Sequence, residues 1–209
     1  MSIAADIQGA HASLVGEPLR SALQGLLERL EVEQAGREWP IDPGIRRVLL
    51  GLWKHGFWTT FSCEGHVYDG VQEAGWSAGP PRVGIEAPNP FTGEEGLHPL
   101  DLLGTSEERS DEEGRAVQLW KLGNLRLQAS MVDLLGEFYA DREVDYALLL
   151  HAGNQQAGWL FRLISVGGEA FRVRPRQEQE RLLPLLQAEL HAFGEFLHAR
   201  EPTPPPSDI

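Results

Sequence analysis

Residues 42–66 read DPGIRRVLLGLWKHGFWTTFSCEGH, and this stretch decides the fold because a helix signal passes straight into a strand signal. Asp42 stands as an N-cap and Pro43 takes the first helical position, where its missing N–H is not needed. Ile45, Val48, Leu49, Leu52 and Trp53 recur at helical spacing, and Gly56 ends the run. The period then changes from 3.6 to 2. Phe57, Thr59, Phe61 and Cys63 alternate with Trp58, Thr60 and Ser62, which predicts a strand over 57–63 with one set on each face. Glu64-Gly65 breaks it.

Upstream, Leu19, Leu23, Leu26, Leu27 and Leu30 predict a helix over 18–31, with Pro18 in its first turn; residues 1–17 are expected to form a flexible N-terminus. Downstream, 67–81 carries Gly70, Gly75, Gly79 and a Pro-Pro pair, the composition of a long irregular loop that often binds or covers a ligand. Residues 82–87 predict a short strand returning beside the first, and 88–104 are turn-rich. The acidic run Glu107, Glu108, Asp111, Glu112, Glu113 reads as helix initiation rather than a metal site. Thr105-x-x-Glu108 and Ser110-x-x-Glu113 both match the capping box, in which two side chains satisfy exposed backbone amides.

Leu127, Met131, Leu134, Leu135 and Phe138 make at least the second half of 125–139 helical. Strands are expected over 146–151, 158–166 and 169–174, the last two joined by a Gly167-Gly168 hairpin turn. An amphipathic helix over 177–199 would bury Leu182, Leu186, Leu190, Phe193 and Leu197, with Pro184 either kinking it or delaying its start to about Leu183. The proline-rich tail 201–209 is expected to be disordered. The order of patterns gives a single α+β domain over 18–200, a mainly antiparallel sheet packed by amphipathic helices, without internal repeats.

Composition narrows the functional classes. A formal net charge of −13 disfavours broad nucleic-acid binding, which depends on many cations meeting phosphates. No segment approaches the roughly 18 uninterrupted apolar residues of a membrane span, and the N-terminal residues lack a basic stretch followed by an apolar run. With Cys63 as its single cysteine the chain forms no internal disulfide, which fits a reducing compartment, and a cytoplasmic location is expected. Arg162, Arg172, Arg174, Arg176 and Arg181 lie close in sequence. Arg172 and Arg174 would share one face of a strand, either as a solvated arginine face or as an anion site.

The densest chemistry lies at the end of the 57–63 strand, where Ser62, Cys63, Glu64 and His66 bring a hydroxyl, a thiol, a carboxylate and an imidazole together. Three readings stand side by side. Cys63 is a small packed hydrophobe beside a Gly65 turn; or Cys63-x-x-His66 chelates a metal, with His98 and His151 as the candidates for further ligands; or Cys63 is a nucleophile with His66 or His151 as its base. The ligand-binding candidates are Ser62, Cys63, Glu64, His66, His151, Arg172 and Arg174. The expectation is a binding domain for a small molecule or protein, with the site at the 62–66 turn and the adjoining loop. The alternatives are an enzyme built on Cys63 or a Cys63/His66 metal centre, and an interaction scaffold. The sequence names no cofactor.

The run Gly56-Phe57-x-Thr59-x-x-Ser62-Cys63-Glu64-Gly65-His66, with the loop and short strand after it, resembles a pattern of small bacterial and phage proteins of unknown function. The likeness covers roughly 42–197 and implies a fold family, not an activity. More distantly, Thr60, Ser62, Cys63 and Gly65 are similar to the Thr-x-Ser-Cys-x-Gly-Arg turn of the wybutosine-pathway tRNA methyltransferases, with His66 in place of the arginine and Phe61 in place of a serine.

Overall fold

The periodic runs become helices and strands in the expected order. The computed structural model describes residues 3–35, 41–67, 79–91, 97–102, 110–143, 145–152 and 161–202. Its helices are α1 (Ile3–Ser13), α2 (Gly16–Gln34), α3 (Arg46–Lys54), α4 (Asp111–Phe138) and α5 (Arg176–Ala199). Its strands are β1 (Thr59–Cys63), β2 (Arg82–Ile85), β3 (Leu148–Ala152) and β4 (Phe161–Ser165), all paired antiparallel in the order β1-β2-β4-β3. This is an α+β fold. No helix among the described residues is long and apolar enough to cross a membrane.

Strand alternation divides the sheet into two chemically different faces. Val83, Ile85, Leu148, Phe161 and Leu163 point to one side and join a core with Val48, Leu49, Leu52 and Trp53 of α3, Met131 and Leu134 of α4, and Leu190, Phe193 and Leu197 of α5. The opposite face is open at Phe61, Leu149 and His151, and closed around Arg82 and Ile164. Helices α3 and α5 approach closely because glycine stands at their crossing. A Cβ on Gly51 would lie 3.0 Å from Leu197 Cβ, and one on Gly194 would lie 3.1 Å from Val48 Cγ2.

Several local expectations are corrected. The N-terminal segment expected to be flexible forms α1, because Ile7 and Ala10 have a core to bury into. Asp42 does not cap α3: a 3-10 turn, Pro43–Ile45, precedes that helix, and the Asp42 side chain makes no cap bond. Phe61 does not share the buried side of Phe57, which is 1% exposed against 41% for Phe61. The register shifts between Thr59 and Phe61, and such a bulge moves the residues beyond it to the other face. Residues 169–174 are not a strand but lie in a 3-10 helix, Gly168–Val173, and its exit. Strand β4 already pairs with β2 on one edge and β3 on the other, so no edge is left for a returning strand, and Phe171 is drawn into the interior instead.

Other expectations hold. Helix α4 starts with the complete Ser110/Glu113 capping box. Helix α5 runs from Arg176 through Pro184, burying Leu186, Leu190, Phe193 and Leu197, while Leu182 is half-buried. The Thr105/Glu108 box, most of the 67–81 loop and the tail from 203 lie outside the described residues.

Candidate functional site

The turn after β1 is built by a reciprocal exchange with the segment before α3. The Glu64 backbone N–H donates to Asp42 Oδ2 at 3.0 Å, and the Gly44 backbone N–H donates to Glu64 Oε2 at 2.8 Å. Helix α5 adds a third tie, with Gln187 Nε2 donating to the Glu64 carbonyl at 3.1 Å. Gly65 adopts φ +89°, a left-handed conformation suited to glycine. It is also hemmed in: a Cβ there would stand 2.7 Å from the Pro81 nitrogen and 2.8 Å from Leu183 Cδ1. His66 then pairs with Gly79 through two backbone hydrogen bonds of 2.9 Å, which fixes its place next to the sheet end.

These constraints bring three potential ligand groups together. One oxygen of Asp42, Cys63 Sγ and one ring nitrogen of His66 all lie within 4.8 Å of one another. Asp42 Oδ2 is already 3.4 Å from His66 Nε2. A tetrahedral zinc ion with ligand bonds of about 2.0–2.3 Å spaces its ligands roughly 3.3–3.8 Å apart. One pair is therefore at metal-ligand spacing, and the trio fits such an ion with a contraction on the order of 1 Å. Oxygen, nitrogen and sulfur donors together suit a borderline ion such as zinc rather than calcium or magnesium.

The electrostatics of Cys63 bear on the choice between metal and nucleophile. Burial pushes its thiol up, and the negative Asp42 and Glu64 add to this, against the opposing Gly65 N–H and Arg82. Gly65 N lies 3.3 Å from Cys63 Sγ. A thiol held protonated is a poor nucleophile. The same negative surroundings favour a cation that displaces the proton.

The other sequence candidates divide. Ser62 pairs with the core residue Val83 and so points to the face opposite Cys63. Glu64 serves the turn through its carboxylate and carbonyl. His98 does not approach Cys63; its Nε2 lies 2.6 Å from Glu86 Oε1, in a cluster where Trp120 Nε1 donates to the same oxygen at 3.2 Å. His151 sits on β3, three strands from Cys63 and so about 14 Å away across the sheet. Arg172 does reach the site: a Cβ on Gly79 would lie 2.7 Å from Arg82 Nη1 and 3.3 Å from Arg172 Nε, so both guanidinium groups converge beside the His66 partner. Arg174 turns away to pair with Glu178.

The member of this trio that the sequence reading missed is Asp42. The available signal was the absence of Glu or Gln at Ile45, where a capping box would place its partner. Comparison with known proteins gives no match to a protein-family model, a curated protein or a solved structure.

Proposed function

We propose that the protein is a ligand-binding domain whose site is the 62–66 turn, and that the site works through a divalent ion of the zinc class held by Asp42, Cys63 and His66. The observation that carries this reading is the convergence of three donor atoms of different chemistry within 4.8 Å, from two segments brought together by backbone ties. Three protein ligands leave a fourth tetrahedral position for water or an incoming ligand. A bound ion would supply Lewis acidity and an anchoring charge at that position. Asp42 and His66 orient each other, and the Glu64 amide holds the Asp42 carboxylate in place.

Cobalt(II) titration of the metal-free protein tests the reading, because a thiolate ligand gives cobalt a charge-transfer absorption that oxygen and nitrogen ligands do not. That band is expected at one equivalent and is expected to vanish in Cys63→Ser. Asp42→Asn and His66→Gln are expected to weaken zinc binding by more than about tenfold, or about 1.4 kcal/mol. A protein that binds cobalt without the thiolate band, or binds zinc equally well as Cys63→Ser, would not be a metal protein of this kind.

A further inference from the structure

Helix α4 turns one apolar stripe to the core and a second to solvent. Trp120, Met131, Leu134 and Phe138 are buried on its inner side. On its outer side Leu119, Leu122, Leu125 and Val132 are 61%, 42%, 49% and 57% exposed. Packing within the chain needs only the inner stripe, and α5, which is also long and amphipathic, exposes Leu185 alone among its described large apolar residues. Leu122, Leu125, Ala129, Val132 and Gly136 follow one another at intervals of three, four, three and four residues, the a/d spacing of a coiled-coil seam. Trp120 and Leu134 take the f positions of the same repeat and so point the opposite way, into the protein.

The charges beside the seam indicate what covers it. Arg126 and Asp133 are exposed, stand one heptad apart at the e positions, and meet no opposite charge among the described residues. In a parallel pair of α4 helices, Lys121 at a g position would face Arg126 of the second copy, and like charges would meet. In an antiparallel pair e positions face e positions. Arg126 of each copy then meets Asp133 of the other, once on either side of a twofold axis.

That register also accounts for Gly136. A Cβ added there would meet nothing within this chain, and glycine inside a helix costs about 1 kcal/mol relative to alanine, so packing within one copy gives no reason for it. In the antiparallel pair Leu125 of the second copy lies over Gly136, and Val132 over Ala129, a larger side chain against a smaller one in each layer.

We infer that the outer face of α4 is a self-association surface whose occupant is the α4 helix of a second copy, packed antiparallel. The overlap runs from Leu122 to Phe138, about 25 Å of helix, so the contact is small and the dimer belongs to the weak, concentration-dependent class. The inference goes beyond the proposed metal site and does not require it.

Sedimentation velocity of the full chain in the presence of chelator tests it, over concentrations from about 1 μM to about 1 mM. A reversible shift from monomer to dimer is expected within that range. Leu122→Asp and Gly136→Leu are each expected to weaken association by about tenfold or more while the far-ultraviolet circular dichroism stays native, because both positions are exposed. Gly136→Leu should even raise the melting temperature of the monomer, since leucine is the better helix former. Arg126→Asp is expected to weaken the dimer, and Arg126→Asp combined with Asp133→Arg to restore it to within about threefold. A chain that stays monomeric throughout, or a dimer that Leu122→Asp leaves intact, would overturn the assignment. Dimerisation that is lost in Leu122→Asp but indifferent to Gly136→Leu, or not rescued by the exchange of charges, would overturn the antiparallel register. Because chelator is present throughout, these outcomes are separate from success or failure of the cobalt titration.

Discussion

Asp42 accepts the Glu64 backbone N–H on Oδ2 at 3.0 Å, so the residue positioned to cap α3 instead anchors the turn that follows β1. Glu64 returns the favour to the α3 entry by accepting the Gly44 N–H. Each segment is therefore completed by the other. Glu64→Ala leaves the half-buried Gly44 amide without that acceptor, and a loss of about 1–3 kcal/mol is expected in urea denaturation. Glu64→Gln keeps an acceptor oxygen and should lose less. An unchanged urea midpoint in Glu64→Ala would show that the exchange contributes nothing to stability.

Gly65→Ala strikes the same turn through the backbone. An alanine must hold φ near +89° and place its Cβ 2.7 Å from the Pro81 nitrogen, which belongs to the backbone and has little room to yield. The left-handed conformation alone costs about 1–2 kcal/mol, and the overlap adds to it. The melting temperature is expected to fall by several degrees, and zinc affinity with it, since Cys63 and His66 flank the residue. Retention of both would mean that the turn tolerates a shift of Pro81 and Leu183.

How far the sequence could be read depends on whether a residue's role is local. The Ser110/Glu113 box is a contact between residues three apart, and it forms as the sequence implies. The core stripe of α3 and the turn before it is equally local, and Ile45, Val48, Leu49, Leu52 and Trp53 are all buried. Asp42 misleads because its partner is 22 residues away, so nothing in its own neighbourhood marks the bond. Residues 169–174 mislead for a related reason. Their alternation fits a strand, but pairing needs a free edge, and the β2-β4-β3 order removes it. Cys63 and His66 were visible as a pair, while their third partner, Asp42, is brought to them by its bond to the Glu64 N–H, a contact between segments far apart in sequence.

The pH dependence of stability is expected to follow histidines buried in their neutral form. Burial pushes the His55 imidazole below its ordinary value, with nearby Lys54 and Arg200 assisting and the bond to the Leu197 carbonyl opposing. His198 is shifted in the same direction, chiefly by burial. The unfolded chain then binds more protons than the folded one from about pH 6.5 down to the depressed folded values, so stability falls as pH is lowered through that window. Glu86 acts with the opposite sign: burial pushes its carboxyl up, so the folded state is favoured by acid between its ordinary value of 4.5 and the raised one. Urea midpoints measured from neutral pH toward pH 6 should decline, and His55→Gln should flatten the decline. A slope unchanged in that variant would remove His55 as a cause.

Cys63 provides the sharpest test of the site, because packing, nucleophile and metal roles differ in how fast its thiol reacts. Its pKa is pushed up by burial first and by Asp42 and Glu64 second, so little thiolate is present near neutral pH. Iodoacetamide should therefore label the folded, metal-free protein slowly at pH 7, and faster once denaturant exposes the thiol. Labelling should also accelerate as pH rises, without levelling off at the ordinary thiol value. Asp42→Asn removes one of the charges that disfavour the thiolate and should speed labelling. Zinc must displace the proton to bind and then shields the sulfur, so saturating zinc should slow labelling further and chelator should restore the metal-free rate. Labelling faster in the folded than in the unfolded protein would identify an activated nucleophile, and equal rates an exposed ordinary thiol, whereas slow labelling that zinc leaves unchanged would leave Cys63 as a packing residue.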